Sequence, residues 1–415
     1  MDTQKDEQFI IQGLSGERKL KGEIPVRGAK NAALKALAAS LLFKDAVTVS
    51  NIPEIEDIFR ACELLKEIGA DVTRVKGRSY TIAFPKKPRS ELSPAIANTL
   101  RASVVFTGPL LARTGKVVFP HPGGCLIGAR PIDLFLSGFR AMGARVREKN
   151  NAYEIEAPQG KLRGAKIFFK NPSVTATETL MMAGVLARGA TELKNAAMEP
   201  EIIALAEFLN SCGAKIDGAG TSKISIRGTG LLSGKKPFLT PPDRIEAGSF
   251  LILGALAAED LTVTDCDPSH LESLLDHLRA VGVSLEVGKN KIRVKNEKNA
   301  ASALQSFDLK THEYPGFPTD LQAPMVVLLT QAAGSALVFE TIFEGRFRYI
   351  DALLKMGAKI EVCDPHRVIV SGPAPLRGLK APICGRGLPT LLPRSLRRGS
   401  RSSIMYTRLT AGMNG

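Results

Sequence analysis

A chain of 415 residues, 44% apolar and 23% charged, is long enough for two or three hydrophobic cores and has the balance of an ordinary globular protein. Its formal net charge is +15, but residues 383–415 supply six arginines with no Asp or Glu to offset them, so much of the excess belongs to one segment. With no Trp and no interleaving of basic and aromatic residues, the composition argues against a nucleic-acid binder.

The opening "MDTQKDEQFIIQG" lacks the basic-then-apolar layout of a signal peptide. The first chemically suggestive stretch is "RGAKNAALKALAASLL", residues 27–42, where Gly28 makes a turn and Lys30 and Asn31 open an apolar helix. A cation and an amide beside free helix N–H groups form a plausible anion site, although Lys30 read alone is equally a solvated first-turn residue. Arg101 opens a second apolar helix in the same manner, in "TLRASVVFTGPLLAR".

The sharpest local pattern is "PHPGGCLIGARPIDL", residues 120–134. Gly123 and Gly124 precede Cys125, and Gly128 and Arg130 follow it. A thiol in a glycine-rich loop beside a guanidinium can be exposed and acidified, and the glycines let backbone approach an anion; a buried loop cysteine is the bland reading, which the flanking glycines and Arg130 disfavour here. Further on, "PPDRIEAGSF" and "YPGFPTDLQAP" each place an aspartate, Asp243 and Asp320, just before an apolar helix. N-capping is the ordinary role for such an Asp, and general-base duty in a cationic cleft is the alternative. "FEGRFRY" reads as a surface ion pair of Arg346 and Arg348 with Glu344. Residues 323–339 are the most membrane-like run, yet Pro324, Gln331 and the short length favour a buried helix.

The five histidines, His121, His270, His277, His312 and His366, show no metal-ligand spacing, and no nucleotide-cofactor motif occurs. The six cysteines lie far apart, as expected of reduced thiols in the cytoplasm.

One pattern recurs along the whole chain. A helix ends in Gly followed by a small residue, then a short β-prone segment follows. The copies are "LLKEIGADVTRV", "FRAMGARVRE", "FLNSCGAKID", "HLRAVGVSLEV" and "LLKMGAKIEV", with glycines at 69, 143, 213, 282 and 357. Each copy implies helices packed on a small sheet, and a sixth is due near residue ~430. Nothing after Pro382 resembles the others.

Cations at helix starts, one reactive thiol and one candidate base point to a transferase acting on phosphorylated substrates. Together "GAKNAAL", "LRAS", "PGGCLIGARPIDL", "EPEI", "PDRIEAG", "FPTDLQAP" and "ETIFEGRF" carry a closer likeness. From about residue 9 to residue 382 the chain resembles the UDP-N-acetylglucosamine enolpyruvyl transferases. The related family that makes enolpyruvylshikimate phosphate shares the fold but lacks the loop "PGGCLIGARP".

The resemblance implies an α/β fold of two domains, each an inside-out barrel of βαβαββ units, joined by a double crossover. One domain is expected at 30–242 and the other at 1–29 with 243–382, giving five recognisable units and a sixth lost or altered in the basic tail 383–415. The implied reaction adds the sugar 3-hydroxyl across the double bond of phosphoenolpyruvate and expels phosphate, the first committed step of peptidoglycan synthesis. Neither a cofactor nor a metal is implied, and neither a membrane nor nucleic acid is a partner.

By the same resemblance, Cys125 delivers a proton to the methylene carbon and can bond to phosphoenolpyruvate. Asp320 takes the hydroxyl proton, and Lys30, Asn31 and Arg130 hold phosphate and carboxylate, so Cys125, Asp320, Lys30 and Arg130 form the implied catalytic set. Sugar-nucleotide contacts fall on Arg101, on Arg130, Pro131, Ile132, Asp133 and Leu134, and on Ser173, Val174 and Ile342, with further substrate contacts at Asn171, Pro172, Asp243, Asp320 and Arg346. "NPSVTAT" departs from the usual form, with Asn171 where some members have Lys and Thr175 where Gly is usual. The alternative reading is a catalytically dead descendant that only binds the sugar nucleotide.

The family's sixth unit opens with "DLRAG" and later carries "DRGYER", and neither is visible here. Joining the third base of each codon to the first two of the next restores both. "PICGRG", from Pro382, then admits Asp-Leu-Arg-Ala-Gly, and "LTAGMNG" admits Asp-Arg-Gly-Tyr-Glu-Arg. The Glu is forced, because Met has one codon and Asn begins with AA. The expectation is a shift of reading frame near residues 380–382 that weakens activity by removing two arginines.

Overall fold

All five glycine-terminated helices end in the left-handed conformation that the repeat demands. The φ angles are +101° at Gly69, +85° at Gly143, +106° at Gly213, +98° at Gly282 and +98° at Gly357. The next amide then reaches back over the turn, as from Ala70 N to Leu65 O at 2.9 Å and from Ala358 N to Leu353 O at 3.0 Å. At Gly69, Gly143, Gly213 and Gly282 an added Cβ would meet nothing within 4 Å, so the backbone angle is the requirement there and not space. Each turn delivers the chain into a strand: Asp71–Val75, Arg145–Lys149, Lys215–Asp217, Leu285–Val287 and Lys359–Asp364.

The computed structural model describes residues 14, 19–121, 132–234, 236–296 and 304–379. Among these, the strands form five small sheets, four of four strands on one plan and one, around Lys116–Pro120, of three strands without the parallel entry strand. A central strand pairs antiparallel with the second strand of the hairpin that follows the glycine turn, as Ala190–Lys194 does with Lys223–Arg227. A short entry strand pairs parallel on the central strand's other side, as Lys166–Phe168 does with Ala190–Lys194. In two sheets the entry strand comes from far away in sequence. Leu20–Pro25 joins Ala258–Thr264, while Phe238–Leu239 joins Val47–Ser50. These exchanged strands are the expected double crossover seen in hydrogen bonds.

Helices such as Lys30–Ala39, Val174–Val185 and Arg244–Ala257 are buried nearly all round. Glycine-ended helices such as Glu56–Glu67 and Glu272–Val281 bury one stripe, and the strands bury one face. Val174–Val185 is buried from Ala176 onward, whereas Lys223–Arg227 buries only Ile224 and Ile226. Packing is close: a Cβ on Gly108 would lie 2.2 Å from Thr179 O on the neighbouring helix. Buried apolar side chains separate into two clusters. One runs from Ala29 to Phe238, and the other takes Ile24, Val26 and residues from Ile245 to Val370.

One expectation is corrected. Residues 323–339 are not one buried helix. The helix Gln322–Leu329 stops, and the chain turns through Gly334 at φ +108° into the strand Gly334–Phe339. A glycine in that conformation and β-prone residues after it override the apolar run.

Candidate active site

Two chain segments cross between the cores side by side, and the site is built on them. Ala29 N donates to Pro241 O at 2.7 Å, and Asp243 N donates to Arg27 O at 2.8 Å. Gly28 is sterically required, since a Cβ there would sit 1.8 Å from Asn51 O. Each segment at once opens a helix, Lys30–Ala39 and Arg244–Ala257, so two helix N-termini lie together.

Asp243 serves both helix starts. Its Oδ1 accepts the amides of Ile245 and Glu246 at 2.9 and 3.1 Å, and its Oδ2 accepts the Lys30 amide at 3.3 Å. The capping role expected for this residue is therefore observed, with a second helix added. Glu246 Oε2 accepts the Arg27 amide at 2.8 Å, which ties the first crossover to the second helix. Lys30 Nζ pairs with Asp57 of the helix Glu56–Glu67, and Asn31 is half-buried beside it.

Asp320 lies in the turn Thr319–Leu321 ahead of the helix Gln322–Leu329. The N-cap position falls on Leu321 and makes no side-chain cap. Asp320 Oδ1 instead takes a 2.7 Å hydrogen bond from Arg346 Nη2, whose guanidinium also donates to Thr319 O at 2.8 and 3.2 Å. This corrects the surface-pair expectation for Arg346. It is 5% exposed and turned inward to Asp320, while Glu344 is exposed. Fully buried Glu340 completes the scaffold, accepting from Thr319 Oγ1 at 2.9 Å and from the amides of Ile342 and Phe343 at 2.9 and 3.1 Å.

The other expected site residues occupy element starts. Arg101 begins the 3₁₀ turn Arg101–Phe106. Ser173 caps the helix Val174–Val185, its hydroxyl accepting from Ala176 N at 3.3 Å, with exposed Asn171 and half-buried Pro172 just before it. Ile132 holds the N-cap position of the helix Asp133–Ala141, which carries Asp133 and Leu134 in its first turn. Cys125, Arg130 and Pro131 lie outside the described residues. Of the other thiols, burial pushes Cys62 and Cys266 up to about 11, so both stay protonated.

A set of buried charges completes the region, and residue patterning gave it no role. Lys35 and Glu178, on facing helices, meet at 3.1 Å without the alignment of a good hydrogen bond. Burial pushes the Glu178 carboxyl up to about 7, opposed by Lys35 and reinforced by Glu201 and Glu199. Burial also raises Glu199. Burial would raise Glu201 too, but Arg244, at 3.3 Å, its own backbone amide and Lys35 outweigh it and hold that carboxyl low. The available signal was a lone charge inside each apolar helix, in "NAALKALAA" and "ATETLMMAG".

Comparison with known proteins now places the arrangement in its class, that of the enolpyruvyl transferases. The pattern of the EPSP synthase (3-phosphoshikimate 1-carboxyvinyltransferase) family matches residues 14–380. The enolpyruvyl transferase NikO from Streptomyces tendae superposes with a TM-score of 0.81 at 21% identity, over 94% of this chain and 95% of that one. EPSP synthase from Acinetobacter baumannii superposes at 0.69 and 18% identity, over 97% and 96% of the two chains.

At the sequence level the likeness is more particular. The UDP-N-acetylglucosamine 1-carboxyvinyltransferase of Solibacter usitatus is 45% identical over 90% of this chain and 87% of its own length. That of Koribacter versatilis is 44% identical over 90% and 84%. The chain belongs to the UDP-N-acetylglucosamine 1-carboxyvinyltransferase family. Among the described residues no helix is long and apolar enough to cross a membrane, and no group of three or more His, Cys, Asp or Glu could hold a metal ion.

Proposed function

We propose that this chain transfers the enolpyruvyl group of phosphoenolpyruvate to the 3-hydroxyl of UDP-N-acetylglucosamine, releasing phosphate, in the cytoplasm, with neither membrane nor nucleic acid as partner. Identity of 45% over most of the chain to a relative of that name carries the reading. The observed geometry supports it at the base. Asp320 is fixed by Arg346 at 2.7 Å, a charge-assisted hydrogen bond that holds its carboxylate in one place.

In this reading the sugar oxygen bonds to the central carbon of phosphoenolpyruvate while Cys125 gives a proton to the methylene carbon. Loss of that methyl's proton with expulsion of phosphate then restores the double bond. Lys30, Asn31 and Arg130 hold the phosphate and carboxylate. Arg101, Pro131, Ile132, Asp133, Leu134, Ser173, Val174 and Ile342 contact the sugar nucleotide, and Asn171, Pro172, Asp243 and Arg346 are further substrate contacts. The division into 30–242 and 1–29 with 243–382 belongs to the same proposal, and the separation of the two apolar clusters supports it.

Phosphate release from phosphoenolpyruvate plus UDP-N-acetylglucosamine tests the reading, beside alkylation of Cys125 by the epoxide phosphonate fosfomycin. Turnover that requires both substrates is expected, at a rate lowered by the altered segment after residue 382. Sugar-nucleotide binding with neither turnover nor Cys125 labelling would identify a binding-only descendant and overturn the proposal.

A further inference from the structure

The four-stranded sheets share one register, and it singles out a residue beside the candidate base. In each, the residue after the entry strand donates its amide to the last carbonyl of the central strand. Thr240 N reaches Ser50 O at 3.0 Å, Phe169 N reaches Lys194 O at 3.0 Å, Val26 N reaches Thr264 O at 2.9 Å and Thr311 N reaches Phe339 O at 3.0 Å. Asn51, Asn195, Asp265 and Glu340, which follow those carbonyls, therefore stand at one repeated position. Asn51, Asn195 and Asp265 have left-handed backbone, with φ of +56°, +55° and +53°, and Glu340 does not. The two asparagines tie the sheet itself, their side-chain amides donating to Thr240 O at 3.0 Å and Phe169 O at 2.9 Å.

In the sheet of Glu340 the next residue makes that tie, Thr341 Oγ1 donating to Thr311 O at 2.7 Å. The Glu340 side chain, 0% exposed, is turned onto the site. Oε2 accepts from Thr319 Oγ1 at 2.9 Å, and Oε1 accepts the amides of Ile342 and Phe343 at 2.9 and 3.1 Å. Its backbone is held separately, Glu340 N donating to His366 O at 2.8 Å, so a change of side chain leaves the strand end in place. Thr319 directly precedes Asp320, and its carbonyl takes the Arg346 guanidinium. The turn of Asp320 is thus gripped at both the hydroxyl and the carbonyl of Thr319. One carboxylate joins that turn to the turn of Ile342.

We propose that Glu340 is a positioning residue, which locks the turn carrying Asp320 to the turn carrying Ile342 and so fixes the distance from base to sugar hydroxyl. The proposal rests on the readings of Asp320 as the base and Ile342 as a sugar-nucleotide contact. Glu340 touches neither substrate nor the transferred proton. It acts through Thr319, because a catalytic group displaced by about 1 Å through a remote change loses up to about 10²-fold in rate.

Thr319→Val keeps the side chain's shape but cannot donate to Glu340. Its kcat per folded enzyme is expected to fall about tenfold while KM for UDP-N-acetylglucosamine changes less than about threefold, because the Ile342 arm is intact. Thr319→Ser restores the hydroxyl and should stay within about threefold of the wild-type kcat. Glu340→Ala cuts both arms, so kcat falls at least as far and KM for the sugar nucleotide rises about fivefold or more. Glu340→Gln holds both arms, its oxygen accepting the two amides and its NH2 donating to the Thr319 hydroxyl, and should return kcat to within about threefold of wild type. Thr319→Val combined with Glu340→Ala should be no slower than Glu340→Ala alone, since both remove the same bond. A merely structural contact would lower the yield of folded enzyme and leave its kcat alone. A wild-type kcat in Thr319→Val, or losses that multiply in the double variant, therefore overturn the proposal. Should Glu340→Ala not fold, the contrast of Thr319→Val with Thr319→Ser decides.

Failure of the underlying readings shows separately. A wild-type chain without turnover counts against the assigned activity, and an unchanged rate in Asp320→Asn counts against the base. Hydrogen exchange of the ligand-free full chain, read by mass spectrometry, then decides the clamp. Peptides over residues 316–322 should exchange faster than wild type in both Thr319→Val and Glu340→Ala, and peptides over 341–346 in Glu340→Ala only. Wild-type exchange in both segments of both variants overturns it.

Discussion

Replacing Lys35 with Met should destabilise the protein much more above neutral pH than below it. Lys35 and Glu178 are 8% and 0% exposed in their side chains and 3.1 Å apart, so breaking the pair strands a buried carboxylate near Glu199 and Glu201. Already with Lys35 present, burial lifts Glu178 from 4.5 to about 7, equivalent to roughly 3 kcal/mol against the charged form. A carboxyl raised in the folded state binds its proton more tightly there than when unfolded. Stability therefore falls as pH climbs from the unfolded value to the folded one and is flat beyond. Without Lys35 the folded value moves further up, and the falling window extends past neutrality. Glu201, which Lys35 also helps hold low, shifts the same way.

At about pH 8, Lys35→Met should cost about 3–5 kcal/mol, and at about pH 6, where Glu178 is protonated in both proteins, a minor fraction of that. The pair Lys35→Met with Glu178→Leu removes both charges and should recover wild-type stability or exceed it by about 1 kcal/mol or more. Urea unfolding followed by far-ultraviolet circular dichroism measures this, since the chain has no Trp to report by fluorescence. Equal losses at the two pH values, or a double variant no better than the single, would refute the account.

Three further expectations follow from single features. Gly28→Ala drives a methyl carbon to 1.8 Å from Asn51 O at the crossover, so the melting temperature should drop by several degrees or the soluble yield collapse, and an unchanged melting curve would contradict the packing. Asp320→Asn should reduce turnover about 10²- to 10⁴-fold while calorimetry still detects UDP-N-acetylglucosamine binding; retention of the rate would dismiss Asp320 as the base. Resequencing the locus across codons 378–415 should reveal alternate-frame codons for "DLRAG" and "DRGYER", and their absence would end the frameshift explanation.

The repeat was legible in the sequence because glycine at a left-handed helix end is a backbone necessity that recurs wherever the geometry recurs, at Gly69 as at Gly357. Asp243 as an N-cap was legible for the same local reason. Gly28 was not, since what forbids a side chain there is Asn51 O on another strand's end. Nor was the partner of Arg346. Glu344 is its neighbour in sequence, but Asp320, 26 residues earlier, is its neighbour in space, and only the fold brings that loop round. Lys35 and Glu178 were not singled out either, because each lone charge in its apolar helix explains the other only once the two side chains meet.

The charges around the crossover differ in how easily they exchange partners, and that difference orders what substrate can do. Asp320–Arg346 involves a cation 5% exposed, held also by Thr319 O, so opening it would strand a buried charge. Lys30–Asp57 is more open, at 24% and 35% side-chain exposure, and pairs in contact with water contribute little. On the proposed assignment, an anionic substrate arriving at the start of the helix Lys30–Ala39 loosens the Lys30–Asp57 contact at small cost and leaves Asp320–Arg346 in place. The cation proposed for phosphoenolpyruvate thus has a water-exposed contact with Asp57, while the proposed base is held by a buried guanidinium.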